Sequence, residues 1–392
     1  IWLNGVLIGH RPNGYIGFSV DLSEHLNYGG ENLIAVQLTP EDLSSRWYPG
    51  AGIYRNTWLE INNPVHVAKW GTFITTPIIT NELANINIQT EIENTTSVNK
   101  TITIQTLIFS RENKELSSVS ETISVNKNEI SIINQSTEIV NPKLWGLQSP
   151  YLYRAETKLY EKGNLIDTYN TSFGVRTINY GSEFGFKLNG EPTRFQGVCL
   201  HHDLGPLGTA VNRRATERQL EIMQDMGVNA IRTSHNPPSP EQVRLCDEMG
   251  LMIQIEAFDM WEKPKVENGY SKFFNEWYEQ DLRDMIRAFR NSPSVVMWSI
   301  GNEILEQSDK INGERIANEL AMICKQEDPT RPTTAGFNYY PAPIKNGLAS
   351  AIDLVGWNYK PRKYAEITER HPNWVIYGSE TSSTVSSRGV YH

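Results

Sequence analysis

Two glutamates close long apolar runs in this sequence. Glu303 follows Val295-Val296-Met297-Trp298, and Glu380 follows Trp374-Val375-Ile376-Tyr377. Short apolar runs of this kind read as buried strands, so each carboxyl is expected where a strand ends. Two carboxyls that face each other can cleave a glycosidic bond. One protonates the leaving oxygen, and the other stabilises or attacks the cationic anomeric carbon. A separation near ~5–5.5 Å means retention through a covalent glycosyl-enzyme, whereas ~6.5–9.5 Å means inversion. The retaining separation is predicted here.

Other polar groups gather at equivalent places. Successive apolar segments end in His201-His202-Asp203, in Arg232-Thr233-Ser234-His235-Asn236 and in Glu256-Ala257-Phe258-Asp259. Further on they end in Ser299-Ile300-Gly301-Asn302-Glu303, in Trp357-Asn358-Tyr359 and in Gly378-Ser379-Glu380. A lone polar residue after a strand is usually a cap or a loop residue. The repetition at one end of one architecture is the signal for an active site. Trp261, Trp298 and Trp357 also fall near strand ends and are candidates for the floor of a sugar site, with core packing the competing reading for Trp298. Trp145 and Trp277 are assigned to packing.

The elements that must position these groups begin near residue 184, where short strands alternate with helical patterns. Leu220, Met223 and Met226 mark a stripe on a helix over 213–226, ended by Gly227. Ser239-Pro240-Glu241-Gln242 opens the next helix as a capping box, and Gly250 closes it. Repeated βα units predict a parallel sheet with helices outside. Seven strands can be placed, one fewer than a (β/α)₈ barrel, whose functional groups sit at the strands' C-terminal ends. Before this region the chain reads as all-β. Residues 1–62 hold short apolar runs between Gly, Asn and Pro, including an Asn4-Gly5 hairpin turn. Residues 63–183 alternate cleanly, with Ile86, Ile88 and Ile92 against Asn87, Gln89, Glu91 and Glu93, as in a β-sandwich. The sequons at Asn94, Asn99, Asn134 and Asn170 are read as chance in a polar β-domain.

Composition narrows the partners. The 392 residues are 21% charged and 39% hydrophobic, with net charge −9. These values describe a globular protein. No cationic face for nucleic acid is visible, and no run approaches the ~18–20 apolar residues of a membrane helix. Cys199, Cys246 and Cys324 form neither a disulfide framework nor a zinc motif. The acidic balance fits a neutral small substrate, and with the carboxylate pair the expected partner is a carbohydrate, without nucleic acid, membrane, cofactor or metal. A homo-oligomer is left open. The chain starts at Ile1, so the true N-terminus and any export signal are expected to lie outside it. The compartment, bacterial periplasm or cytoplasm, is unassigned.

Several motifs together resemble glycoside hydrolase family 2, the β-galactosidase and β-glucuronidase group. Trp47-Tyr48-Pro49-Gly50-Ala51-Gly52-Ile53-Tyr54-Arg55 resembles the end of that family's jelly-roll domain, and Phe195-Gln196-Gly197-Val198 with His201-His202-Asp203 its first barrel strand. Ile231-Arg232-Thr233-Ser234-His235-Asn236-Pro237 and Trp298-Ser299-Ile300-Gly301-Asn302-Glu303 are the most characteristic. The resemblance implies a multidomain β plus α/β architecture. Residues 1–62 would be the C-terminal part of a jelly roll, 63–183 an immunoglobulin-like sandwich, and 184–392 a TIM barrel lacking its last unit. It implies a retaining exo-β-glycosidase, with Glu303 as acid/base and Glu380 as nucleophile. Asn302 would bind the sugar 2-hydroxyl, and His201 and His235 would contact substrate. Tyr359 would hydrogen-bond the nucleophile and Arg232 orient its carboxylate. Asp203, Asn358 and Trp357 complete the implied substrate-binding set. A carboxylate beside Arg⁺ and a Tyr hydroxyl stays ionised, whereas its partner needs a raised pKa to hold its proton.

Departures from the family pattern bear on metal and sugar. Metal-dependent members carry Glu and His after the third strand, where this chain has Met260, Trp261 and Glu262. They place Gly-His after the acid/base, where this chain has Ile304-Leu305. No magnesium site is therefore expected. Arg46 replaces an Asp that those enzymes direct toward the sugar, and it is read as a solvated or domain-interface residue. Ser379-Glu380-Thr381-Ser382 with Ser387-Arg388-Gly389 resembles galactosidase-type members. A β-D-galactosidase is the expected activity. β-Glucuronidase, β-mannosidase and a non-catalytic carbohydrate-binding fragment are the alternatives.

Overall fold

A computed structural model describes residues 1–383, so Ser387-Arg388-Gly389 lie outside the described residues. Its centre is a seven-stranded parallel sheet in sequence order, curled as in a TIM barrel. The strands are Gly197–Leu200, Ala230–Thr233, Met252–Glu256, Val295–Asn302, Thr333–Phe337, Leu354–Asn358 and Val375–Glu380, numbered below as the first to seventh barrel strands. The first and seventh are not paired with each other among the described residues. The main helices are α1 (Arg213–Asp225), α2 (Pro240–Met249), α3 (Phe274–Phe289) and α4 (Asn312–Glu327). Helix α2 has the expected ends: the Ser239 side chain accepts from Gln242 N, and Gly250 takes the left-handed conformation at φ +75°.

The period-two geometry of the strands decides which residues reach the chemistry. Ile253, Ile255, Trp298, Ile300, Val355 and Trp357 point outward into one apolar core shared with Leu245, Met285, Ile286 and Leu320 of the helices. Their neighbours Gln254, Glu256, Ser299, Asn302 and Asn358 are buried and polar, and their hydrogen bonds run between strands across the barrel interior. Below them Met252, Met297 and Leu354 pack with Trp145, Phe186 and Leu188, closing the barrel floor. The stripe expected on α1 is narrower than predicted. Leu220 is fully buried, whereas Met226 is 69% exposed, because the helix ends at Asp225 and Met226 turns away into the cap.

The sandwich pairs Val65–Thr75, Leu83–Asn94 and Glu129–Val140 in one sheet. Lys100–Phe109, Glu115–Val125, Tyr153–Glu161 and Asn164–Phe173 form the other. Ile86, Ile88, Ile92, Ile102, Ile104 and Ile108 are buried between them. Glu91 breaks the expected wet face: it is buried against Arg287 of α3, an ion pair that ties sandwich to barrel.

Residues 1–62 contain less strand than their pattern predicts. Three two-residue strands, Trp2–Leu3, Val6–Leu7 and Ile34–Ala35, form a small sheet around the turn at Asn4 (φ +53°) and Gly5 (φ +86°). Leu33, Val36, Leu38, Trp58 and Ile61 are exposed, so the apolar runs there have no second sheet to cover them. This segment is nonetheless fastened to the barrel. Arg11 pairs with Asp281 and Asp284 of α3, Arg55 Nη2 donates to Pro237 O, and Arg46 reaches Asp259 beyond the third strand.

Candidate active site

The interior polar residues converge at the C-terminal ends of the strands. Arg232 lies one residue before the end of the second strand, with its side chain inside the barrel. Its Nη1 donates to Glu380 Oε1 at 2.7 Å, its Nη2 to Glu256 Oε2 at 2.7 Å and to Asn302 Oδ1 at 2.9 Å. Tyr359 donates its hydroxyl to the other Glu380 oxygen, Oε2, at 2.5 Å. Asn358 Nδ2 donates to Asn302 Oδ1 and to Glu303 Oε1, both at 3.1 Å, while its Oδ1 accepts from Ser379 Oγ at 2.6 Å. One unbroken path of hydrogen bonds thus runs from Glu303 through Asn358, Asn302 and Arg232 to Glu380.

Backbone geometry aims the mouth residues. Glu303 and Tyr359 leave their strands with φ +45° and +57°, a region that non-glycine residues rarely adopt. Each is clamped there: Glu303 N–H donates to Gly336 O and Tyr359 N–H to Glu380 O, both at 2.7 Å. Strain of this kind is typical of functional sites and costs about 1–3 kcal/mol per residue. Gly336 also leaves room. A Cβ there would lie 3.0 Å from Asn358 Oδ1 and 3.2 Å from Arg232 Nη2.

The electrostatics favour the ionised forms of Glu380 and Asp259. Burial pushes the Glu380 carboxyl up, but the Arg232 charge and the Tyr359 hydrogen bond outweigh it and hold it below the usual range. Burial and the bond to Glu380 raise the Tyr359 phenol, which stays a hydroxyl donor. Asp259 is pulled well down despite burial, by Arg46 and Lys265. Burial lowers His201, whose Nδ1 lies 2.6 Å from Ser234 O.

Not every expected residue joins this network. Arg232, His235, Asn302, Glu303, Asn358, Tyr359 and Glu380 are brought together. His201 sits at the edge, stacked on Trp47 with ring centroids 5.4 Å apart and edge-on to His235. Asp203 does not join: its Oδ1 caps its own loop through Gly205 N–H at 3.1 Å. Trp357 is a correction. It is fully buried, edge-on to Phe337 and Tyr340, because its parity on the strand sends it outward, and it has no surface to offer a sugar. Trp298 and Trp261 are likewise buried, donating to Asp328 and Ile300 O. Trp47, from the N-terminal segment, is the indole beside the two histidines.

Sequence reasoning left Glu256 and Lys265 without a role. Lys265 Nζ reaches Asp259 Oδ1 at 2.9 Å and Asn302 O at 2.6 Å. Arg46 holds Asp259 through Nε at 2.8 Å and Nη2 at 2.5 Å, which makes it a domain-interface residue. The available signal for Glu256 was parity, since it shares the inward register of Arg232 and Ser299. Met260 and Ile304 are buried apolar residues, and Glu262 pairs with Arg315. Among the described residues no group of three His, Cys, Asp or Glu side chains is arranged to hold a metal ion.

A parallel barrel sheet with carboxylates at its mouth, behind a β-sandwich, defines the architecture of a multidomain glycoside hydrolase. The chain belongs to glycosyl hydrolase family 2: residues 65–176 match the family's own model, and residues 182–373 match its TIM barrel domain. β-Galactosidase BoGH2A of Bacteroides ovatus is 38% identical over 100% of this chain and 50% of its own length. The solved structure of a glycosyl hydrolase family 2 member from Bacteroides cellulosilyticus superposes with a TM-score of 0.94 at 37% identity, covering 96% of this chain and 48% of that one. Bacteroides uniformis β-glucuronidase superposes with a TM-score of 0.83 at 28% identity, over 96% of this chain and 48% of that one. The chain spans about half the length of the relatives it matches.

Proposed function

We propose that this chain carries the catalytic site of a retaining exo-acting β-glycosidase that hydrolyses terminal, non-reducing β-D-galactosides. One observation carries the assignment of roles. Each oxygen of Glu380 is held by a separate donor, Arg232 Nη1 and the Tyr359 hydroxyl, which favours its ionised form. Glu380 is the nucleophile. It attacks the anomeric carbon while Glu303 gives its proton to the leaving oxygen, forming a glycosyl ester on Glu380. Glu303, now a carboxylate, takes a proton from water, and that water displaces Glu380 from the anomeric carbon. Asn302, next to Glu303 in the chain, is fully buried and held by Arg232, Asn358 and Asp259, so in this reading it steadies Glu303 from beneath and is not itself a contact of the sugar 2-hydroxyl.

The three-part division at 1–62, 63–183 and 184–392 belongs to the same reading, and the spans of the two family matches support it. The galactoside is favoured by the name of the 38%-identical relative and by the engagement of Arg46 with Asp259, which leaves that cation already paired. The competing reading is a β-glucuronidase. It draws on the related β-glucuronidase structure and on the 35% exposure of the Arg46 side chain. A panel of chromogenic β-glycosides tested on the full-length protein separates them. Turnover of the galactoside with none of the glucuronide is expected. The reverse preference overturns the substrate, and no turnover of any glycoside overturns the catalytic reading in favour of a binding fragment.

A further inference from the structure

We propose that Glu256 is a positioning residue: it pins Arg232 and His235 from beneath and thereby tunes Glu380, resting on the reading of Glu380 as nucleophile. Glu256 ends the third barrel strand and is 0% exposed, so it cannot itself touch a sugar. A buried carboxylate is costly unless it is fully hydrogen-bonded. Glu256 is saturated. Its Oε2 accepts from Arg232 Nε at 3.2 Å, Arg232 Nη2 at 2.7 Å and Ser299 Oγ at 2.6 Å, and its Oε1 faces His235 Nδ1 at 2.6 Å. Its backbone N–H donates to Thr233 Oγ1 at 3.0 Å.

This arrangement does two things. First, the guanidinium is gripped along one edge by Glu256 and presents Nη1 to Glu380. One positive charge is then shared between two carboxylates. Second, an ionised carboxylate can only accept, so His235 Nδ1 carries a proton and donates it to Glu256 Oε1. His235 Nε2 is left turned toward Glu380 Oε1, 3.7 Å away, the side on which substrate arrives. Burial pushes the Glu256 carboxyl up, yet Arg232 and the His235 hydrogen bond bring it below its usual range, which supports the ionised form. The other groups facing this pair are accounted for. Tyr377 on the seventh strand is pushed up to about 12 by burial and stays protonated. The Cys199 thiol on the first strand lies 3.6 Å from Arg232 Nη1. Tyr359 and Glu303 lie at the mouth, and Asp259 with Arg46 and Lys265 lies beyond Asn302.

Neutralising Glu256 would leave Arg232 to Glu380 alone. Glu380 then becomes more acidic and a weaker nucleophile. The experiment is Glu256→Gln in the full-length protein, with Glu256→Asp as the charge-retaining partner. For Glu256→Gln, kcat is expected to fall about tenfold or more with KM within about threefold, and the acid limb of kcat/KM to move down by about half a pH unit. Glu256→Asp should keep the limb in place. A fall in kcat with an unmoved limb means a structural role only and overturns the proposal, as does a wild-type kcat. Should Glu256→Gln fail to fold, neutron diffraction from wild-type crystals decides. A deuteron on His235 Nδ1 and none on Glu256 is expected, and a deuteron on Glu256 overturns the proposal. Trapping the wild-type enzyme with a 2-deoxy-2-fluoro glycosyl fluoride keeps the two readings apart. A label away from Glu380 sinks the nucleophile assignment. A label on Glu380 with an unmoved limb sinks only the role of Glu256.

Discussion

Arg46, from the N-terminal segment, grips Asp259 beyond the third barrel strand with two parallel hydrogen bonds of 2.8 and 2.5 Å. Asp259 in turn accepts from Asn302 Nδ2 at 3.1 Å, so a residue outside the barrel steadies the neighbour of Glu303. Arg46→Ala removes that fork while leaving Lys265 on Asp259. The Arg46 side chain is partly exposed, so the loss is discounted to about 1–2 kcal/mol, on the order of tenfold in kcat/KM. Arg46→Lys should recover little, because an ammonium cannot bind both carboxylate oxygens as a planar fork does. Steady-state kinetics of the two variants check this, and full recovery in Arg46→Lys would contradict it.

Gly336 is predicted to tolerate no side chain. A Cβ would meet Asn358 Oδ1 at 3.0 Å, Arg232 Nη2 at 3.2 Å and Ser379 Oγ at 3.3 Å. All three are buried polar groups held by hydrogen bonds, Ser379 Oγ to Asn358 Oδ1 and Arg232 Nη2 to Glu256 and Asn302, so none can move without breaking one. Gly336→Ala is expected to cost about 1–3 kcal/mol in stability and to lower kcat more than it raises KM. Thermal unfolding and kinetics of the variant measure both effects.

Much of this arrangement was legible in the sequence, and the misses share a physical cause. Glu303 and Glu380 were singled out because each follows an apolar run, whereas Arg232, His235, Asn302 and Tyr359 were noted only as polar groups at strand ends and took their roles from the family resemblance. Proximity to a strand end is a coarser signal than parity along it. Trp357 and Asn358 are adjacent, yet one faces the helices and the other the barrel interior. Glu256 was passed over for the same reason: its parity turns it into the barrel, where its partners Arg232, His235 and Ser299 arrive from other strands. In residues 1–62 the apolar runs suggested strands, but a strand needs a partner to pair with, and Leu33, Val36 and Leu38 lie exposed.

Metal independence is a separate expectation. Met260 and Ile304 are buried and apolar where the sequence comparison with metal-dependent members would place ligands. Exhaustive chelation followed by assay should leave kcat/KM unchanged, and added magnesium should not raise it. Loss of activity on chelation, restored by magnesium, would refute this.

The acid limb of activity follows from the direction of the Glu380 shift. Its folded pKa is below the ordinary glutamate value, although burial opposes this, because Arg232 and Tyr359 favour the carboxylate. The ionised nucleophile is therefore present throughout the usual carboxylate range of about 4 and is lost only as pH falls through the lowered value. Glu256 and Asp259 are depressed too. Their stabilisation is present above their unfolded pKa values and is lost as pH falls through the folded ones. Activity and stability should decline in the same acidic window. Brief acid exposure with assay at neutral pH separates them: recoverable activity reports protonation of Glu380, and irrecoverable loss reports unfolding.

The last prediction distinguishes the two glutamates by chemistry. Glu380→Ala removes the group that forms the glycosyl ester, so the normal retaining course cannot be restored by a small anion. Glu303→Ala leaves Glu380 gripped by Arg232 and Tyr359. It should still form the glycosyl-enzyme from an aryl glycoside with a good leaving group, which needs little protonation. Deglycosylation then stalls, because no base remains to deprotonate water. Azide needs no deprotonation. It should enter on the face opposite Glu380, raise turnover and yield a β-glycosyl azide. In Glu380→Ala, azide can occupy the space left by the nucleophile and attack the substrate directly, giving the α-glycosyl azide. The anomeric configuration of the azide product from each variant is the readout. A β-azide from Glu380→Ala together with an α-azide from Glu303→Ala would exchange the two roles.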